Sequence, residues 1–75
     1  MIADVRRHLE ARPFEPFTIV LSSGDRYPVL TQDHASVGPS GTRMVVWFDD
    51  EGSITLSALH VVGIEKPPAS QRGAA

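Results

Sequence analysis

The sequence predicts a mainly β fold, in which an N-terminal helix is followed by a strongly bent five-stranded antiparallel small barrel. Three observations predict it. Apolar residues keep helical spacing only through the first turns of the chain. From Phe14 onward they alternate. The alternating runs are short and separated by turn signals. A chain of 75 residues holds one domain. It is expected over residues 1–66, with 67–75 as a disordered C-terminal tail.

The helix is expected over residues 1–12. Ile2, Val5 and Leu9 form one apolar stripe, with Asp4 in the first turn and Arg12 near the end, where each suits the helix dipole. Arg6 and Glu10 are spaced to pair on the solvent side. Pro13 ends the helix, because the residue before a proline is pushed toward extended geometry. About three turns are too short to persist alone, so the helix must dock. Phe14 and Phe17 stand ready to pin it, with Pro13 and Pro16 holding the linker extended.

Phe17, Ile19 and Leu21 alternate with Thr18, Val20 and Ser22, as in a strand with one apolar face. Ser22-Ser23-Gly24-Asp25 is a tight turn. A second strand runs through Tyr27, Val29 and Thr31, and Pro28 places it at an edge or a bulge, since proline donates no ladder hydrogen bond. Gln32-Asp33-His34 interrupts the pattern, and Ala35-Ser36-Val37 makes at best a short third segment. Pro39-Ser40-Gly41 leads into residues 42–48, the most β-prone run. There Val45 and Trp47 face one way and Met44, Val46 and Phe48 the other, so both faces are expected to be covered. After the acidic turn Asp49-Asp50-Glu51-Gly52, Ile54 and Leu56 resume the alternation. Ala58-Leu59-His60 connects to a last strand, Val61 to Glu65. The expected core is Phe14, Phe17, Ile19, Leu21, Val46, Leu56, Val62 and Ile64, with Trp47 and Tyr27 also placed inside, and Gly24 and Gly52 make the turns.

The order of elements, and three stretches within it, resemble the Sm-like family, including its bacterial Hfq branch, so the expected barrel is SH3/Sm-like. Residues 16–24, Pro-Phe-Thr-Ile-Val-Leu-Ser-Ser-Gly, resemble the family's first strand and following glycine. Asp33 stands near its loop aspartate. Residues 56–64, Leu-Ser-Ala-Leu-His-Val-Val-Gly-Ile, resemble its second motif, in which His60 matches the family's histidine, while Ala58 and Leu59 stand where it carries tyrosine and lysine. The resemblance implies ring assembly by strand addition and a turn at His60 that lines an RNA pocket. The opening Arg12-Pro13-Phe14-Glu15-Pro16-Phe17 is also similar to that of short uncharacterised bacterial proteins, which adds an expected cytoplasmic setting.

Several chemistries find little support. With no cysteine, disulfides and thiolate metal sites are excluded. His8, His34 and His60 lack the spacing of a metal motif, the acidic turn lacks the ligand pattern of a calcium loop, and no nucleophile elbow or phosphate-cradling loop is present. The expectation is a non-catalytic protein without cofactor or metal. No apolar run approaches the ~20 residues of a membrane span. The net charge of −2 argues against coating nucleic acid wholesale.

Two partner classes remain. Arg6, Arg7 and Arg12 make the helix basic, while Asp49, Asp50, Glu51 and Glu65 gather late. An RNA surface would therefore use Arg6, Arg7 and Arg12, together with His60. Self-association has the stronger physical motive: Val45 and Trp47 give the central strand a second apolar face that a small barrel cannot bury, and a free strand edge can pair with a second copy. The expected function is thus a binding and assembly module that self-associates through strand edges. An Sm/Hfq-like RNA-binding protein and a monomeric accessory protein binding another protein are the alternatives.

Overall fold

Helix α1 spans Ile2–Glu10 and buries Val5 completely, with Ile2 and Leu9 packed beside it. It stops earlier than the proline alone requires, because Ala11 is already extended; the Arg12–Pro13 bond is cis. The computed structural model describes residues 1–66, so the expected tail at 67–75 lies outside the described residues. The nine-residue helix is held by what it docks on. Arg6 does not pair with Glu10. Its Nη2 reaches across to donate to the Gly38 carbonyl at 3.1 Å, and the ion pair on the helix surface is between Arg7 and Asp4.

Six strands follow: β1 (Phe17–Leu21), β2 (Arg26–Val29), β3 (Ala35–Val37), β4 (Arg43–Trp47), β5 (Ser53–Ser57) and β6 (Val61–Glu65). They form two three-stranded antiparallel sheets, ordered β2-β1-β6 and β3-β4-β5. One core joins them. Phe17, Ile19, Leu21, Val29 and Val61 of the first sheet meet Ala35, Met44, Val46 and Leu56 of the second, and Val5 closes the end. The fold is mainly β, as the alternation predicts, but its ladders make two sheets and not one closed five-stranded barrel. The break is local. Thr31 accepts a hydrogen bond from Asp33 N at 3.2 Å and caps a 3-10 turn, Gln32–His34, so the chain leaves the first sheet before it enters the second. A second 3-10 turn, Ala58–His60, carries it back.

The β1–β2 turn uses Gly24 at φ +93, where a side chain would be strained. In the acidic turn the positive φ belongs to Glu51 (φ 71) and not to Gly52. Gly52 serves close approach instead, since a Cβ there would stand 3.0 Å from the Asp50 carboxylate and 3.3 Å from the Phe48 ring.

Two core expectations fail for physical reasons. Val62 is 53% exposed, and Val61 takes its place inside at 4%. The register explains the swap: Val20 pairs with Gly63 but Leu21 with Val61, so Val62 is the extra residue of a β-bulge that flips the alternation. Trp47 is 45% exposed because its face of β4 looks outward, opposite Ser53 and beside Val45. Phe48 is also partly exposed, at 39%. It stacks on Tyr27 with centroids 6.0 Å apart at one open end of the two sheets. Within residues 42–48, Met44 and Val46 of the inner face are therefore the ones buried, and Val45 of the outer face is half-buried.

Truncating Val61 to alanine should cost about 1.5–3 kcal/mol, and the same change at Val62 under about 0.5 kcal/mol. Urea unfolding of the two variants measures this. Equal losses would contradict the bulged register.

Candidate functional site

The four residues expected to contact RNA are not brought together. Arg6 is engaged with Gly38 and Arg7 with Asp4, while the Arg12 guanidinium donates to its own neighbour, the Ala11 carbonyl, at 3.1 Å. His60 lies at the other end of β1. Its carbonyl accepts from Ser22 N at 2.8 Å, past the last residue of the strand, whereas the helix meets β1 at its first residue, with the His8 ring 5.2 Å from that of Phe17. About 16 Å of extended chain separates the two ends. A shallow depression of about 310 Å³ beside His60 is lined by Ser22, Ser23, Thr55 and Ser57, and carries no basic side chain apart from the imidazole itself.

The three histidines have separate structural partners. His8 Nδ1–H donates to the Asp4 carbonyl at 2.7 Å. His60 Nδ1 lies 3.4 Å from Ser22 Oγ. His34 bridges two loops: Nδ1 is 2.8 Å from Thr31 Oγ1 and Nε2 is 2.8 Å from an Asp49 carboxylate oxygen. That chain ties the first 3-10 turn to the acidic turn after β4, and could not be foreseen from residues fifteen apart in sequence.

The two residues expected at an oligomer interface, Val45 and Trp47, share the outer face of β4, one strand in from the edge of their sheet. The edges themselves differ. Leu21 N donates to Asp25 O at 2.9 Å, so the alternation of the hairpin points residues 26 and 28 away from β1, and of the two nitrogens on that edge proline's is without a hydrogen. Edge β2 is thereby blunted. Edge β3 has three residues and packs against α1. The other two carry no proline, although β6 is bulged at Val62 and its Ile64 shares a depression with Met1, Asp4 and His8 of the helix. Phe48 N donates to Gly52 O at 2.7 Å, which fixes the phase of the β4–β5 hairpin and turns the backbone groups of Ser53, Thr55 and Ser57 outward. On β6 the pairs Thr18–Glu65 and Val20–Gly63 face inward, so Ile64 turns its N–H and C=O out. Proline marks the closed edge in the sequence, and its absence from 53–57 and 61–65 was the available sign of the open ones.

No family model, curated protein or solved structure matches the chain. Its functional reading therefore rests on the edges and surfaces just described. Among the described residues no helix is long and apolar enough to cross a membrane.

Helix docking has a titratable contact. The pKa of His8 lies below its ordinary value of 6.5, because burial disfavours the imidazolium and Lys66 and Arg7 repel it; Glu15 pulls weakly the other way. Glu15 is itself paired with Lys66 at 2.5 Å. A lowered pKa means that the unfolded chain binds the proton more readily than the folded one. Stability should therefore rise with pH through the window below 6.5 and be lost as pH falls through it. The urea midpoint should drop between about pH 7.5 and 5.5 in the wild type and drop less in His8→Gln. Parallel pH profiles for the two would exclude the effect.

Proposed function

We propose that this protein is a non-catalytic assembly module that self-associates by pairing the open edge of β5 in one copy with the open edge of β6 in the next. The observation that carries the reading is the contrast between edges. Two of the four outer strands are closed, by Pro28 and by the helix, while β5 and β6 are five residues each and present unpaired backbone groups. Pairing of the two edges would be regular over residues 63–65 of β6, beyond the bulge at Val62. Joining unlike edges is heterologous, so the assembly closes into a ring or continues as a filament. Taking β2 and β3 as halves of one bent strand, broken at Gln32–His34, turns the six strands into the five of the SH3/Sm-like barrel, and this supports placing the chain beside the Sm-like family. The RNA reading is weaker, because Arg6 and Arg7 already have partners and His60 stands apart from them.

Light scattering tests the proposal. The wild-type protein should have a mass several times 8.1 kDa. Thr55→Pro removes a donor that points out of the sheet, so it should lower the mass toward 8.1 kDa while leaving the circular dichroism intact. A wild-type monomer at millimolar concentration overturns the reading. A mass that falls with Val45→Lys but not with Thr55→Pro would move the contact from the edge to the outer face of β4.

A further inference from the structure

Three side chains meet at the corner between the two sheets. Thr31 follows β2, His34 ends the 3-10 turn Gln32–His34, and Asp49 opens the acidic turn after β4. Thr31 Oγ1 lies 2.8 Å from His34 Nδ1, and His34 Nε2 lies 2.8 Å from an Asp49 carboxylate oxygen. The order is hydroxyl, imidazole, carboxylate. His34 is the one histidine with both ring nitrogens engaged by side chains.

The chemistry of the partners fixes where the hydrogens lie. A carboxylate only accepts, so the neutral ring carries its hydrogen on Nε2. Nδ1 is then a lone pair, and the hydrogen between it and Thr31 belongs to the hydroxyl. His34 is therefore placed to take the Thr31 proton as a general base. The Thr31 oxygen also accepts from Asp33 N at 3.2 Å. That N–H leaves one lone pair of the oxygen free, and it steadies the negative charge that grows there as the proton departs. Access is open, since Thr31 is exposed, whereas His34 is half-buried and held from both sides.

Charge selects the class of electrophile. No lysine or arginine bonds to any member of the trio among the described residues, and the carboxylate at its end is Asp49. A phosphoryl group needs cations to neutralise its oxygens and is repelled by carboxylates. An acyl carbon carries no such charge.

We infer that Thr31 is a site of covalent acylation, taking an acyl group from an activated donor such as a thioester or an aryl ester. Thr31 Oγ1 bonds to the acyl carbon, the bond from that carbon to its sulfur or oxygen leaving group breaks, and the Thr31 proton passes through His34 Nδ1 to the leaving group. Asp49 is a positioning residue that keeps Nδ1 free of hydrogen. The transfer is stoichiometric and does not conflict with the assembly role, and none of the three residues belongs to β5 or β6.

The full chain treated with p-nitrophenyl acetate should gain an acetyl ester on Thr31. Fragmentation mass spectrometry locates it, and hydroxylamine removes it while sparing amides on Met1 and Lys66. Ser22 is an internal comparison, because its oxygen lies 3.4 Å from His60 Nδ1 with no carboxylate bonded to that ring among the described residues. It should label at least about tenfold more slowly. Thr31→Ser should keep the label and Thr31→Val lose it. His34→Ala should slow labelling about 100-fold, and free imidazole should restore it there but not in Thr31→Val. Asp49→Asn should slow it about tenfold and move the ring hydrogen of His34 toward Nδ1, read from its nitrogen-15 chemical shifts. The inference is overturned if Thr31 labels no faster than Ser22, if His34→Ala labels like the wild type or is not restored by imidazole, or if Asp49→Asn leaves rate and tautomer unchanged.

Discussion

Four strand edges have to be disposed of in this fold, and the way each is treated determines what the surface offers. A sheet of three strands has one interior strand, so two such sheets supply only β1 and β4 with partners on both sides. The core can do little about this. Its three largest fully buried side chains, Phe17, Ile19 and Met44, sit on those two interior strands, and they hold the sheets face to face without closing their sides. Closure is left to particular residues. Pro28 silences one edge by chemistry, and α1 covers another by position. Arg6 holds the helix in place through the Gly38 carbonyl, which makes this arginine part of the architecture and explains why a basic helix is not the same thing as a basic surface.

Much of this was legible in the chain. The stripe of Ile2, Val5 and Leu9 marks the helix and the face it buries. The alternation through Phe17, Ile19 and Leu21 gives both the strand and its phase, and Pro28 marks an outer strand. What could not be read depends on pairing between distant residues. Val62 follows the same local pattern whether it lies in a regular strand or in a bulge, and only the register against Val20 and Leu21 moves it outside. The corner at Gln32–His34, in contrast, shows in the sequence as an interruption of the alternation. Thr31 accepts from a backbone N–H two residues on, a short-range choice that competes with the ladder and separates β2 from β3.

Trp47 shows a different limit. Economy of burial argues that the single tryptophan of a small domain belongs inside, and its strand position argues that it points away from Met44 and Val46. Position wins, because alternation along β4 is fixed by the pairs it makes with β3 and β5, and a large side chain on the outer face cannot be turned in without slipping both. The same geometry separates the charges. Arg6 anchors near Gly38, which accepts nothing from the far end of β4, where Asp49, Asp50 and Glu51 form the turn. The acidic turn beyond Trp47 therefore stands apart from the arginines of the helix.

The edges bear on how the surfaces can work together. The open backbone of β5 and β6 is indifferent to side-chain chemistry and suits a second copy of the same chain. The depression over Pro28 and Leu30 lies across the same sheet from the β6 edge. Because β2 and β6 are opposite edges of one sheet, with β1 between them, pairing at β6 leaves Pro28 and Leu30 uncovered. An assembly built through the open edges would carry one such depression per copy, all in equivalent positions.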